Sequence, residues 1–237
     1  MRRVLHGAPS AAGHSDGCHH DSIRGGIRSR LNGGGDAQSD AALDADVHAV
    51  YIGAVPRVIL YASISLDGFA AGPDGDVSVL HGWAFGDSSM QMHPQVTGEF
   101  FAAGAVVFGA RTLRAGDAAW GDDAIFSMPV FIPTHERREP VTRNGALFTF
   151  APSAAQALHL ARDAARERDV YVMGSPTVAR QLFDAHAIDE MELAITGVVL
   201  GAGIKLFDWL ADTPIRMTPT RVIPSRGITH VRYRVER

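Results

Sequence analysis

The sequence predicts a three-layer α/β domain over residues 55–237, its sheet mostly parallel with an antiparallel C-terminal strand. Three observations carry that expectation. Short apolar runs bounded by glycine or proline alternate with segments of helical period, as buried parallel strands alternate with their crossover helices. The run at residues 170–173 ends in Gly174-Ser175-Pro176, a strand-to-helix junction followed by an apolar i,i+4 pair, Val178 and Leu182. The chain closes on two strands, 215–223 and 229–235, joined by Pro224-Ser225-Arg226-Gly227. The second alternates Val231, Tyr233 and Val235 with Arg232, Arg234 and Glu236, which predicts a hairpin with one face in water.

Composition bounds the rest. The chain has 237 residues, 46% hydrophobic and 20% charged, which is ordinary for a globular protein. A formal charge of −4, with no basic stripe interleaved with aromatics, argues against a nucleic-acid partner. The single cysteine, Cys18, excludes an internal disulfide framework and suits a reducing, cytoplasmic location. No apolar run reaches the length of a membrane span, and Arg2 and Arg3 have no apolar core behind them, so no membrane or secretory segment is expected. Residues 1–54 are rich in Gly, Ser, Asp and Ala and read as a disordered N-terminal extension. Cys18, His19 and His20 in it lack a second ligand pair at structural-zinc spacing, and no metal is expected.

Taken in order, residues 58–63 (VILYAS) predict the first strand, followed by a loop with two turn signals, Asp67-Gly68 and Asp74-Gly75. Residues 94–103 have the period of a helix, with Val96, Phe100 and Ala103 on one face. Residues 105–108 read as a buried strand, and the stretch from Gly109 to Asp122 as a connector. Residues 129–132 and 146–150 are further strands, and Ser153 begins a helix to about Arg168 whose stripe is Leu158, Ala161 and Ala165. After residues 170–173, Gly174 allows close approach to the main chain, Ser175 has N-cap chemistry, and Pro176 fits the first helical position. A capped helix start aims N–H groups and a positive dipole end at one point, which suits a phosphate; an ordinary ligand-free connection fits the same residues. Gly197, Gly201 and Gly203 imitate a dinucleotide fingerprint but open no helix, so a turn is the better account. The parts for P-loop, zinc-helix and serine-elbow chemistry are absent from the sequence.

The segments VMGSPTVARQLF, AIDEMEL and VVLGAGIKLF, in that order, resemble the C-terminal signature of the dihydrofolate-reductase-like superfamily. They are most similar to the reductase domain of the riboflavin-biosynthesis bifunctional deaminase/reductase and its free-standing bacterial relatives. The resemblance implies a three-layer dihydrofolate-reductase-like domain, NADPH as cofactor, a small-molecule substrate and a homodimer. It implies hydride transfer to a small heterocyclic or sugar-derived acceptor, as in 5-amino-6-(5-phosphoribosylamino)uracil reductase. For the cofactor it implies Met173, Gly174, Ser175, Pro176, Thr177 and Val178 at the strand–helix turn. It adds Gly109, Arg111 and Thr112, then Thr134, His135 and Arg137 of a T-H-x-x-R-like segment, and Ala62 and Leu66 at the end of the first strand. Asp67 and Glu190 are the candidates for moving a proton; a plain turn residue and a solvent-facing strand residue are their bland readings.

Four departures from the family pattern stand in the sequence. Ser175 replaces the second glycine of a pair, and Ala110 stands where the family has arginine, with Arg111 one place later. Phe69 follows the Asp-Gly where a basic residue is usual, and no deaminase half with H-x-E and P-C-x-x-C ligands is present. Two other readings remain open: a nucleotide-binding protein without turnover, and a dihydrofolate reductase. Against the latter, the helix at 94–103 begins with His93, Pro94 and Gln95, and its one carboxylate, Glu99, lies more than a turn further along.

Overall fold

A computed structural model describes residues 56–84, 87–120, 126–143, 145–208, 210–211 and 213–237. The expected N-terminal extension, and Phe85, Gly121 and Asp122, lie outside the described residues.

The core is built outward from β1 (Val58–Ile64), buried along all seven residues. A strand apolar on both faces has to be covered on both, and here it sits inside a nine-stranded sheet. The other strands are β3 (Ala105–Val107), β4 (Val130–Pro133), β5 (Val141–Arg143), β6 (Ala146–Ala151), β7 (Val170–Met173), β8 (Glu190–Thr196), β10 (Met217–Ser225) and β11 (Ile228–Val235). Their order is β10-β11-β8-β1-β7-β3-β4-β6-β5. The six strands from β8 to β6 run parallel, and the β10–β11 hairpin and β5 run antiparallel at the two edges. The short strands β2 (Phe69–Ala71) and β9 (Ile204–Lys205) pair separately.

Among the described residues four α-helices cover the sheet: α1 (Pro94–Phe101), α2 (Ala110–Trp120), α3 (Ala154–Ala165) and α4 (Pro176–Asp184). One core packs Leu60, Ala62, Val172 and Leu193 under Ala157, Ala161, Val178 and Leu182 of α3 and α4. The other packs Ile59, Tyr61, Val106 and Tyr171 under Val96, Phe100 and Leu113 of α1 and α2. Leu60 and Val172 are wholly buried, each worth roughly 1.5–3 kcal/mol in area removed from water. The fold is the three-layer α/β arrangement that the pattern predicts.

Three expectations are corrected. The connector after Gly109 is the helix α2; of its described side chains, Leu113 and Ala115–Gly116 give little apolar stripe, so periodicity did not mark it. The strand β5 was not expected, its residues being mostly exposed. The face of the last strand expected to be wet is wet only at its end: Arg234 and Glu236 are exposed, whereas Arg232 and His230 are 6% and 1% exposed, because α1 lays Glu99 over β11 and β8 supplies Glu190 and Glu192 beside it. Of the three charges expected to face solvent, Arg232 alone is paired inside.

Candidate active site

Chain direction at the strand ends locates the site. From β3 the chain leaves to α2, on the face covered by α1; from β7, its neighbour, it leaves to α4 on the opposite face. Adjacent parallel strands whose connections part in this way open a crevice at their carboxyl ends. Both turns that flank this crevice are glycine turns, Gly109 and Gly174.

The two turns are tied together by Ser175. Its hydroxyl accepts the Gly109 N–H at 2.8 Å and meets Thr112 Oγ1 at 2.9 Å. A side chain on Gly109 would overlap that hydroxyl, so the approach requires glycine. The Gly174 N–H donates to Tyr61 O at 2.8 Å, which binds the turn to β1 as well. Gly174 and Ser175 both adopt left-handed geometry, φ 54° each, which costs a serine about 1–2 kcal/mol. Ser175 occupies the N-cap position of α4 but does not cap it. With positive φ its hydroxyl is committed to the β3–α2 turn, which corrects the expectation of an ordinary cap.

The remaining residues implied for the cofactor fall along the same edge. Arg111 is exposed at the start of α2, and Thr177 at the start of α4. Thr134 follows β4, its hydroxyl accepting the Glu136 N–H at 3.1 Å, and His135 and Arg137 beyond it are exposed. Arg138 lies over the Phe150 ring at 4.4 Å, so it is spoken for. Met173 and Pro176 are half-buried at the turn. Val178 and Ala62 are 5% and 2% exposed with side chains in the core, so they border the crevice chiefly through the main chain. Leu66 is 63% exposed at the end of β1, its N–H held by Val198 O at 2.7 Å.

Neither residue expected to move a proton is free to do so. Asp67 accepts N–H bonds from Leu200 at 3.0 Å and Gly201 at 2.7 Å, clamping the loop after β1 to the turn after β8. The Ser65 hydroxyl first, then these N–H groups, hold its pKa at about 2. Glu190 is placed beside Ile59 near the start of β1, five residues (about 17 Å) back from the carboxyl end of that strand. Its carboxylate bridges Arg57 at 3.1 Å and Arg232 at 2.6 Å. It belongs to a partly buried chain of charges in which Arg57 also meets Asp169 at 2.6 Å, Arg232 meets Glu99 at 2.7 Å, and Arg221 joins Glu99 to Glu192 at 2.9 Å.

Sequence reasoning passed over Ser63, Glu192 and His230, which are buried polar residues on the face under α1. The alternation Glu190-Met191-Glu192 is visible in the sequence, but its register against Arg232 is not. Burial raises the Glu192 pKa, partly offset by Arg221 and Arg232. Among the described residues no three His, Cys, Asp or Glu converge as metal ligands, and no helix is long and apolar enough to cross a membrane.

Comparison with known proteins agrees with this arrangement. The sequence matches the RibD C-terminal domain family over residues 56–225, more than half of the chain. The chain belongs to this family. No curated protein matches the sequence. Among solved structures, a protein assigned to riboflavin biosynthesis from Shewanella sp. PV-4 superimposes with TM-score 0.62 at 19% identity, covering 76% of this chain and 99% of that one. The diaminohydroxyphosphoribosylaminopyrimidine deaminase/5-amino-6-(5-phosphoribosylamino)uracil reductase of Thermotoga maritima gives 0.53 at 16% identity, over 76% of this chain and 57% of its own. A pyrimidine reductase-like protein of Corynebacterium diphtheriae gives 0.53 at 15% identity, over 79% and 98%. These likenesses show the RibD-type reductase fold. Compared with the family pattern, the Ser175 departure gains a physical account, since the hydroxyl supplies the link between the two turns.

Proposed function

We propose that this RibD-family chain is an NADPH-dependent reductase that moves a hydride to a small heterocyclic or sugar-derived acceptor, of the aminouracil reductase type named for the Thermotoga protein. The observation that carries the reading is the Ser175–Gly109 bond at the crevice between β7 and β3. It holds the first turns of α2 and α4 side by side, and helix starts have unpaired N–H groups and a positive dipole end. A pyrophosphate fits that cradle. A Cβ at Gly174 would meet only Thr112 Oγ1, at 4.0 Å, which leaves the main chain approachable. Arg111 and Arg137 stand exposed on the next two turns, without an ion pair among the described residues, and offer charge to an adenosine 2′-phosphate.

When bound, the nicotinamide supplies the hydride. The chain's part is to orient and to exclude water. Leu66, exposed just beyond the end of β1 and bonded to the turn after β8, offers an apolar side chain at the carboxyl edge of the sheet. The Asp67 clamp keeps the β1 and β8 loops together and, as an anion, gives no proton at neutral pH. Titrating the protein with NADPH and NADH by fluorescence tests the reading. Binding of NADPH that weakens severalfold in Arg111→Ala, while NADH is unaffected, supports it; failure to bind either nucleotide refutes it.

A further inference from the structure

The segment that leads into α1 is held differently from the elements around it. Residues 87–95 contain no buried side chain, whereas Leu80 before them is 1% exposed and Val96 after them 2%. Met92 alone packs against the aromatic core, and only partly. With no buried anchor of its own, this strap depends on hydrogen bonds for its place. They run to the β10–β11 hairpin. The Gln91 N–H donates to Arg226 O at 2.9 Å, and the Ser225 hydroxyl donates to Gln91 O at 2.6 Å. Arg226 Nη1 donates to Ser88 O at 3.2 Å, and the His93 N–H donates to His230 Nε2 at 3.3 Å. Within the strap, the Met90 N–H donates to Asp87 O at 3.2 Å and the Ser89 N–H to Asp87 Oδ1 at 2.8 Å, so it keeps a shape of its own.

The hairpin is the fixed side of this contact. Ile228 at its tip is 2% exposed, and Gly227 O accepts the Gly197 N–H at 3.1 Å, which ties the tip to the end of β8. The two sides meet closely: a Cβ on Gly227 would stand 2.6 Å from Ser89 O, and the residue has φ 68°. Behind the strap lie groups that the chain leaves poorly partnered. The Tyr61 hydroxyl reaches Met92 Sδ at 3.7 Å, and a thioether is a weak acceptor. His230 Nδ1 and, two strands away in the same row, Ser63 Oγ are buried without a protein partner. Such atoms gain when water reaches them, so the closed strap keeps polar groups dry at a cost.

We propose that residues 87–93 are a gate, released from the hairpin tip as one unit while α1 stays in place. Opening breaks the bonds to Ser225, Arg226 and His230. It returns those groups to solvent and lets water reach Tyr61, Ser63 and His230 Nδ1. Exchanging protein hydrogen bonds for water bonds has a small net free energy, so the open form is within reach of thermal motion. The helix does not follow, because Val96 and Phe100 are buried and Glu99 is paired with Arg221 and Arg232. The gate admits small polar solutes to the face between α1 and the sheet. This device goes beyond the reductase reading and does not depend on which nucleotide binds.

Two measurements on the full chain test the gate: amide hydrogen exchange by NMR, and oxidation of Met92 by hydrogen peroxide followed by peptide mapping. In the wild type the Gln91 and His93 amides should show matching protection and exchange faster than the Phe100 amide of α1. Ser225→Ala removes the hydroxyl that holds Gln91 O. It should speed exchange at Gln91 and His93 about three- to tenfold, and Met92 sulfoxide formation by a similar factor, with Phe100 unchanged. Arg226→Ala removes the bond to Ser88 O and should act in the same direction. Met191, 3% exposed in the α3–α4 core, should oxidise no faster in either variant. Unchanged exchange at Gln91 and His93, acceleration of Phe100 or Met191 by the same factor, or Met92 oxidation indifferent to Ser225→Ala would each overturn the gate. Should Ser225→Ala fail to fold, Arg226→Ala, at an exposed side chain, decides alone.

Discussion

At the scale of single residues, Ser175 shows how one side chain can be strained and necessary together. Its left-handed backbone is unfavourable, yet its hydroxyl satisfies the Gly109 N–H and meets Thr112. Ser175→Ala keeps the strain and loses the bond, so it should cost about 1–2 kcal/mol in urea unfolding. Ser175→Gly loses the same bond but relieves about 1 kcal/mol of strain, and should be the milder of the two. The reverse order would mean that the hydroxyl does not hold the turn. His230 provides a second residue-scale expectation. Its pKa falls from 6.5 to about 4 on folding, so between those values the unfolded chain binds a proton that the folded chain does not. Stability should therefore fall as pH drops from 6.5 towards 4, by an amount on the order of 3 kcal/mol at the lower end. Unfolding curves at pH 7, 5.5 and 4 check this, and His230→Gln should flatten the dependence.

At the scale of elements, the notable unit is the pair of loops joined by Asp67. The Leu66 N–H to Val198 O bond, the two N–H bonds to the Asp67 carboxylate and the β2–β9 ribbon hold the loop after β1 against the turn after β8. Because the Asp67 pKa is depressed, its contribution is present above the ordinary carboxylate value of 3.8 and is lost as pH falls towards 2. Asp67→Asn keeps the shape and discards the charge. Amide exchange at Leu200 and Gly201 should quicken, and KM for the acceptor should rise while the pH profile of turnover keeps its form. A proton-donating Asp67 would instead lose a limb of that profile. The loop was legible in the sequence as an Asp-Gly turn at a strand end, but its partner 133 residues away was not. A hydrogen bond across such a separation depends on two strands lying side by side, and no local pattern encodes that.

At the scale of the whole molecule, a shared fold does not bring a shared substrate. On α1, His93 caps the helix by accepting the Gln95 N–H, and Glu99 is consumed by Arg221 and Arg232. No carboxylate at the start of this helix is available to grip a pterin. Dihydrofolate with NADPH should show no steady turnover across pH 5–8. Methotrexate-sensitive oxidation would make folate reduction the function.

The sequence by itself determined the layered α/β architecture, the buried strands β1, β3, β4 and β7, the hairpin, the family and the glycine turns at the strand ends. Each of these rests on local signals: apolar runs, caps and turn residues whose meaning depends on neighbours within a few positions. Only the tertiary structure decided what the charged residues do. Glu190 and Arg232 look alike in the sequence to any solvent-facing strand residues, and become buried ion-pair partners because β11 returns antiparallel to β8 and α1 closes over both. It also decided that the Ser175 hydroxyl serves β3 rather than its own helix, and that Ser63, Glu192 and His230 share one face. The physical reason is the same in each case: charge pairing and polar satisfaction are settled by register and burial, which exist only once distant strands are side by side.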